Sequence, residues 1–285
     1  MPGKPGSASE QSTHISGYLR ETDRDRYYAS LLLPEPQRAA IQALFAFSAE
    51  IASIRDRARE PAAGEIRLQW WADALKGDGH GNVRQNPLAA GLLDAIAAWQ
   101  LPSGPLLRLV AARRFDLYQD PMPDLPSFEG YAGETVSVLY QLAAMALNGG
   151  KEVETGDAAG HLGVAHALSG HLRAFGYNAS RGRIFLPISI FAANGVTDGE
   201  ILSGTESEGL FAALAQFEEL LEEHLGKARA AIAKLPRPLR PAFAPVAIIG
   251  EQGHRAAGSR QPFAAPTDIP DWQKIARMGW WVWRN

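Results

Sequence analysis

Residues 166–187 read HALSGHLRAFGYNASRGRIFLP, and the interpretation of the whole chain depends on this stretch. The pattern predicts a helix over residues 158–177, followed by a polar turn and a short extended apolar segment. His161, His166 and His171 recur every five residues, which distributes them around a helix instead of along one face. A histidine metal site is therefore not predicted here.

The rest of the chain is a series of helical patterns separated by proline and glycine. The clearest covers residues 206–234, where leucine and phenylalanine recur at helical spacing against a run of glutamates. Alternating strand patterns and internal repeats are absent. The sequence predicts a single all-α domain of about ten helices over residues 25–250, after a flexible lead-in at residues 1–24. Residues 251–285 are predicted to form a linker and a tryptophan-rich helix that docks on the same domain.

Composition excludes several functional classes. The formal net charge of −3 over 285 residues leaves no basic footprint for nucleic acid. The absence of cysteine excludes disulfides, thiolate zinc sites and cysteine nucleophiles. No window has the roughly 18 consecutive apolar residues of a membrane span. We therefore expect a cytoplasmic protein whose only membrane contact is peripheral, on the inner membrane.

Four blocks of sequence carry a more specific signal. They are YYASLLLPEPQRAAIQALFAFSAEIASIRD at 27–56, RLQWWADAL at 67–75, YAGETVSVLY at 131–140 and LRAFGYNASRGRIFLP at 172–187. In this order they resemble the squalene and phytoene synthase family, over residues 27–202 of the chain. The resemblance implies the all-α isoprenoid synthase fold, in which helices surround a central cavity.

In active members of that family, two helices each carry a D-x-x-x-D element whose aspartates hold Mg²⁺ against the substrate diphosphate. Side chains four residues apart share a helix face, and Mg²⁺ requires oxygen ligands. Here the first element reads ASIRD from Ala52 to Asp56 and keeps only the last aspartate. The second reads AFGYN from Ala174 to Asn178 and has no carboxylate. The resemblance therefore implies that magnesium-dependent prenyl transfer has been lost, and no metal or other cofactor is predicted.

The substituted elements are similar to those of one branch of the family. AEIASIRD, the following RLQWW and the stretch LRAFGYNASRGRIFLP resemble the mitochondrial respiratory complex I assembly factor with a phytoene-synthase-like domain, and its bacterial relatives. The branch implies a retained fold, a lost transferase activity and a role in assembling NADH dehydrogenase. The expected partner is a complex I subunit or an assembly intermediate. A lipid or isoprenoid ligand in the cavity is a separate expectation.

The alternative function is an active head-to-head prenyltransferase that makes isoprenoid precursors. It would use Asp56 and Arg173 with two further carboxylates, Glu50 and Glu134. Its cofactor would be Mg²⁺ and its substrate farnesyl or geranylgeranyl diphosphate. Turnover of such a diphosphate separates this function from the assembly role.

Six residues are candidate contacts to a diphosphate or to the cavity. They are Tyr27, Arg55, Tyr131, Thr135, Arg173 and Arg183. The arginines at the end of the second element either bind phosphate through forked hydrogen bonds or stabilise a helix C-terminus. The hydroxyl-bearing side chains either line the cavity, stack on a ligand or satisfy neighbouring backbone and core contacts. Asp56 is either a relic metal ligand or a partner of Arg59, one turn further on.

Three large aromatic side chains lie near the end of the chain. Trp280, Trp281 and Trp283 stand beside Arg277 and Arg284. This combination is typical of a membrane interface or of a groove on a partner protein. The other interpretation is that the tryptophans dock onto the protein's own helices.

Overall fold

The computed structural model describes residues 8–79 and 81–285, and within this part of the chain the regular structure is helical, without a β-strand. The all-α class predicted from the pattern is therefore confirmed. In chain order the α-helices are α1 Ala8–Thr22, α2 Arg24–Ser30, α3 Gln37–Arg57, α4 Pro61–Lys76, α5 Pro87–Trp99, α6 Ser103–Ala112, α7 Leu125–Ala132, α8 Val138–Leu147, α9 Gly156–Arg173, α10 Phe175–Ala179, α11 Ile188–Ala193, α12 Asp198–Ser203, α13 Glu208–Ile232, α14 Val246–Ala257 and α15 Asp271–Arg284. These fifteen helices exceed the predicted ten because two predicted helices, over residues 127–147 and 158–177, are each split in two, and because α1, α2 and α12 are not among the predicted helices.

The helices form two compact units, each built from segments that are distant in sequence. The first unit contains α1 to α6 together with α8, and the 3₁₀ segment that begins at Arg237. The second unit contains α7 and α9 to α15. The first candidate element lies in the first unit, and the second candidate element lies in the second.

In the first unit, α3 is the central helix. It packs against α1, α4, α5 and α8, and its buried side chains include Ile41, Leu44 and Phe47. These side chains cover more than one face of the helix, as expected for a helix enclosed by several neighbours. The helix that supports the first element is therefore held along most of its length.

The N-terminal segment differs from its prediction. Residues 8–22 of the predicted lead-in form α1, whose Ile15 and Leu19 are buried against α3 and α5. The prediction of a flexible segment is wrong for these residues, because burial of two aliphatic side chains stabilises a helix of only moderate intrinsic propensity. Residues 1–7 of that prediction lie outside the described residues.

In the second unit, α9 and α13 form the main helix pair, and α14 packs against both. The predicted amphipathic pattern of α13 is confirmed, since Leu210, Phe217 and Leu221 are buried while the glutamates are on the opposite side. Gly163 of α9 lies against the backbone of Ser137, where a Cβ would come within 2.6 Å of the Ser137 Cα atom. Glycine thus permits a close approach of α9 to the preceding segment.

The sequence after Ser127 contains no proline before Gly149 and predicts one long helix with Ser127 as its cap, but the structure interrupts this helix. It starts one position after Asp124, whose side chain accepts a hydrogen bond from the Ser127 N–H at 2.9 Å, so Asp124 and not Ser127 is the N-cap. A five-residue π-helical segment, Gly133–Ser137, then separates α7 from α8. Such insertions shift the side chains that follow relative to an uninterrupted α-helix.

The C-terminal boundary predicted at residue 251 falls inside α14, so the linker begins later, after Ala257. The last helix, α15, packs against α14 and buries Lys274 and Met278. Within residues 8–79 and 81–285, no helix combines the length and the apolar character needed to cross a membrane.

Candidate functional site

The first element lies in the last turns of α3, where Ala52 and Asp56 are one turn apart. Asp56 is exposed, and its Oδ2 atom is 3.6 Å from the Nε atom of Arg55. The partner of Asp56 is thus its neighbour in sequence and not Arg59, the partner expected one turn further on. The methyl group of Ala52 offers no ligand atom to a cation.

Glu50 is the carboxylate closest in sequence to this element, and contacts within the first unit already use it. The Tyr18 hydroxyl donates to its Oε2 atom at 2.6 Å, and Arg57 forms an ion pair with its Oε1 atom. Burial, together with this hydrogen bond, raises the pKa of Tyr18 to about 12. Glu50 therefore joins α1 to α3, and both of its carboxylate oxygens already have partners.

A pocket of about 240 Å³ adjoins Glu50 in the first unit and is also lined by Arg67, Trp70 and Trp71. Trp71 is buried and makes edge-to-face contacts with Phe47 and with Trp70, at centroid distances of 5.2 and 5.1 Å. Trp71 is therefore a core residue. Trp70 is partly exposed and forms part of the pocket wall.

The second element lies where α9 ends and the short α10 begins. Ala174 is the residue between the two helices, and its carbonyl accepts a hydrogen bond from the Asn178 N–H at 2.8 Å. The backbone carbonyl of Asn178 accepts hydrogen bonds from the N–H groups of Arg181 and Arg183, each at 3.0 Å. The side chain of Asn178 is only 3% exposed, and its Oδ1 atom has no hydrogen-bond partner among the described residues. The turn after the helix is thus well hydrogen-bonded through its backbone, whereas the side-chain oxygen of Asn178 has no partner among the described residues.

Arg173, the last residue of α9, points to a carboxylate that the sequence did not identify. Its guanidinium donates to Asp268 Oδ2 at 3.1 Å, and the same oxygen accepts from the buried Lys274 Nζ at 2.5 Å. Burial alone would raise the pKa of Asp268, but the hydrogen bond from Lys274 and the charge of Arg173 outweigh it and lower that pKa. Asp268 therefore ties the end of α9 to the start of α15. Because 95 residues separate Arg173 from Asp268, no local sequence signal could have revealed the pair.

Tyr131 and Thr135, the candidate cavity residues of the second unit, are both buried. The Thr135 hydroxyl donates to the Tyr131 carbonyl at 2.6 Å, which is the backbone-satisfying role that the sequence left open. Arg181 lies over the ring of Tyr177, with its Cζ atom 4.5 Å from the ring centroid. This contact engages the guanidinium of Arg181 with an aromatic face.

The other candidate contacts are less closely grouped. Tyr27 lies on α2, partly exposed, with its ring centroid 5.6 Å from that of Tyr28. Arg55 is adjacent to Asp56 on α3, and Arg183 lies partly buried just after α10.

The second unit also contains a partly buried histidine pair that the sequence did not predict. The Nδ1 atoms of His161 on α9 and His224 on α13 are 3.1 Å apart, and His224 Nε2 is 3.3 Å from Glu129 Oε1. Burial, followed by the neighbouring charge of His161, lowers the pKa of His224. In residues 8–79 and 81–285, no group of three or more His, Asp or Glu side chains has an arrangement suited to a metal ion.

The side chains of the two elements offer few ligand atoms for Mg²⁺. Of the four positions that carry aspartate in active synthases, only position 56 has a carboxylate here, and it is paired with Arg55. The remaining oxygen, Asn178 Oδ1, is uncharged and buried. These side chains do not fit a site in which Mg²⁺ bridges carboxylates to a diphosphate.

Comparison with known proteins relates the chain to both enzymes and assembly factors. The squalene/phytoene synthase family model matches residues 19–273. The Bos taurus protein named NADH dehydrogenase (ubiquinone) complex I, assembly factor 6, is 31% identical over 236 residues, which is 83% of this chain and 71% of that protein. The phytoene synthase of Thermus thermophilus is 28% identical over 79% of this chain and 74% of the enzyme.

Among solved structures, a dehydrosqualene synthase in complex with ligand superposes with a TM-score of 0.81. The match covers 97% of this chain and 98% of that one at 15% identity, so it concerns the fold alone. The isoprenoid synthase fold that the sequence predicts is thus confirmed. The extent of the family match, together with this fold, establishes that the chain belongs to the squalene/phytoene synthase family.

Proposed function

We propose that this protein is a catalytically inactive member of its family that assists the assembly of a complex I-type NADH dehydrogenase. The observation that carries the proposal is the absence of carboxylates from positions 52, 174 and 178, in a chain that is 31% identical to a complex I assembly factor. Its partner would be a complex I subunit or an assembly intermediate. We place this activity in the cytoplasm.

The chemistry of the two elements supports the inactive state. Ionisation of an allylic diphosphate develops negative charge on the leaving group, which active synthases neutralise with Mg²⁺ held by aspartates. Alanine supplies no oxygen, and the amide of Asn178 supplies no charge. Glu50, the nearest replacement in sequence, already binds Tyr18 and Arg57.

We further propose that a lipid-like molecule binds this protein without being converted. The first unit contains a mostly apolar pocket of about 310 Å³ between α1, α3 and α5, whose walls include five alanines, Ile15 and Trp99, with Gln11, Ser12 and Asp94 as polar lining residues. A pocket with mostly apolar walls suits an alkyl or isoprenoid chain better than a strongly polar ligand. Extraction of the purified protein followed by mass spectrometry of the bound lipids tests this proposal.

The assembly role is tested by deleting the gene and quantifying complex I on native gels together with NADH oxidation by membranes. We expect the amount of assembled complex I and the rate of NADH oxidation to fall in the deletion strain and to be restored by the wild-type gene. Restoration by an Asn178→Leu variant, which cannot bind a cation at that position, would separate assembly from metal chemistry. Normal levels of assembled complex I in the deletion strain would contradict the proposal.

The second candidate function is prenyl transfer, which the 28% identity to a phytoene synthase favours. Purified protein would be incubated with farnesyl or geranylgeranyl diphosphate and Mg²⁺, with an active synthase as positive control. We expect no product. Turnover that depends on Mg²⁺ would establish the enzyme and overturn the inactive assignment.

A further inference from the structure

The C-terminal helix α15 has two faces of opposite character. The face directed to α14 carries the buried side chains Lys274 and Met278. The other face exposes large apolar side chains to solvent: Trp272 is 69% exposed, Ile275 42%, Trp280 61% and Trp283 76%. The interpretation in which all the tryptophans dock onto the protein's own helices is therefore wrong for Trp280 and Trp283.

These four side chains form one continuous stripe, which we term the indole stripe. Trp272, Trp280 and Trp283 are separated by eight and three residues, so they recur on one side of the helix. Ala276 and Gly279 lie between them, and no charged residue interrupts the stripe. Together the side chains expose on the order of 500 Å² of mostly apolar surface, near the upper limit for a soluble monomer. Trp281, in contrast, is only partly exposed and lines a cavity beside the stripe.

A basic groove borders the indole stripe. It is a cavity of about 490 Å³ lined by Arg229, Arg277, Arg284, Trp280 and Trp281, among others. The Arg277 guanidinium lies 2.9 Å from a Glu251 carboxylate oxygen, and that of Arg229 lies 3.8 Å from Glu222.

Arg284, which is exposed, forms no ion pair with any residue in 8–79 and 81–285. The groove therefore presents an uncompensated cation at the edge of an apolar surface, although the whole chain has a formal charge of −3.

We propose that α15 lies in the plane of an anionic phospholipid surface, with the indole stripe at the boundary of headgroups and acyl chains and the basic groove facing the lipid phosphates. An amphipathic helix binds at this depth when its apolar face carries tryptophan and its flanks carry cations. Indole rings favour the interface because they combine an apolar body with an N–H donor. Guanidinium groups match phosphate oxygens in geometry and charge. This proposal does not depend on the assembly role.

Vesicle flotation with the full-length protein tests the proposal. We expect the protein to float with vesicles of phosphatidylcholine and phosphatidylglycerol, less with pure phosphatidylcholine, and less with the anionic vesicles as salt is raised. The exposed-site double variant Trp280→Ser/Trp283→Ser should lower the partition coefficient about tenfold or more. Arg284→Glu should lower it about tenfold on the anionic vesicles only.

Ile66→Ser provides the matched control, because Ile66 on α4 is 72% exposed and lies in the other unit. We expect it to bind vesicles as the wild type does. Circular dichroism of each variant reports whether the fold is retained, and Arg284→Glu remains decisive if the double tryptophan variant does not fold. Absence of wild-type binding to both kinds of vesicle would overturn the proposal. A second outcome would also overturn it: the wild type forms a dimer in analytical ultracentrifugation, the double tryptophan variant does not, and neither protein binds vesicles. The indole stripe would then be an interface between two copies of the chain.

Discussion

The two elements both lack carboxylates at positions where the family resemblance implies aspartate, but they lie in different environments. The first lies near the end of an uninterrupted helix, where the remaining Asp56 is exposed and paired with Arg55. The second lies at a break between two helices, where Asn178 is buried with an unpaired amide oxygen. Replacement of a charged side chain at a surface position changes the free energy of unfolding little, because water solvates the polar groups that remain. Replacement in the interior leaves an unsatisfied polar group, so its effect on stability should be larger.

The largest effect should come from adding a methyl group to the second element. A Cβ atom on Gly176 would lie 1.9 Å from the Phe263 carbonyl oxygen. Gly176→Ala should therefore lower the free energy of unfolding by about 3 kcal/mol, because a backbone group has to move. Gly170→Ala on α9 is the control, since its Cβ would meet nothing within 4 Å, and it should be neutral or stabilising by up to about 1 kcal/mol. Urea denaturation followed by circular dichroism measures both, and equal stabilities would refute the close contact.

Restoring one carboxylate to each element compares them directly. Asn178→Asp would place a charge at a position that is 3% exposed, so it should cost about 2 kcal/mol at pH 7. Burial would raise the pKa of the new carboxyl, so the deficit should shrink as pH falls towards about 4, where the unfolded chain is protonated as well. Ala52→Asp, at a partly exposed position, should cost less than about 0.5 kcal/mol. Equal losses of unfolding free energy for the two variants, measured by chemical denaturation, would show that the two environments do not differ.

The ion pairs of the two regions should also differ in strength. Asp268→Ala would leave Lys274, which is 2% exposed, without its carboxylate. Allowing for the partial exposure of Asp268, we expect a loss of about 1.5 kcal/mol. Asp56→Ala removes an exposed carboxylate that lies 3.6 Å from the Arg55 Nε atom, and should cost less than about 0.5 kcal/mol. Thermal unfolding of both variants gives this ranking, and the reverse order would contradict it.

The smallest effect concerns pH and the histidine pair of the second unit. Because the pKa of His224 is lower in the folded protein, the unfolded chain binds a proton more readily, and stability should fall as pH drops below about 6.5. His224→Gln should remove part of this dependence, by less than about 1 kcal/mol.

His254 acts in the opposite direction. The hydrogen bond to Glu218 raises its pKa, so its contribution is present at low pH and is lost as pH rises. His254→Gln is therefore the matched control and should steepen the loss of stability on acidification. If both variants change the pH profile in the same direction, the assignment of the two histidines is wrong.

The candidate site was predictable only in part. The substitutions at positions 52, 174 and 178 are visible in the sequence, and so are the helices that carry them. The engagement of Glu50 by Tyr18, and of Arg173 by Asp268, is not visible, because the partners are 32 and 95 residues away. Such pairs form only when folding brings distant segments together, so local periodicity cannot predict them.

The sequence by itself determined the all-α class and the amphipathic face of α13. These features depend on residues within one or two turns of each other, so helical periodicity suffices. Tertiary structure decided that residues 8–22 pack as a helix, that the Oδ1 atom of Asn178 is buried without a hydrogen-bond partner among the described residues, and that Trp280 and Trp283 face solvent while Trp281 lies towards the groove. The physical reason is that burial is a property of the assembled surface, which no single segment contains.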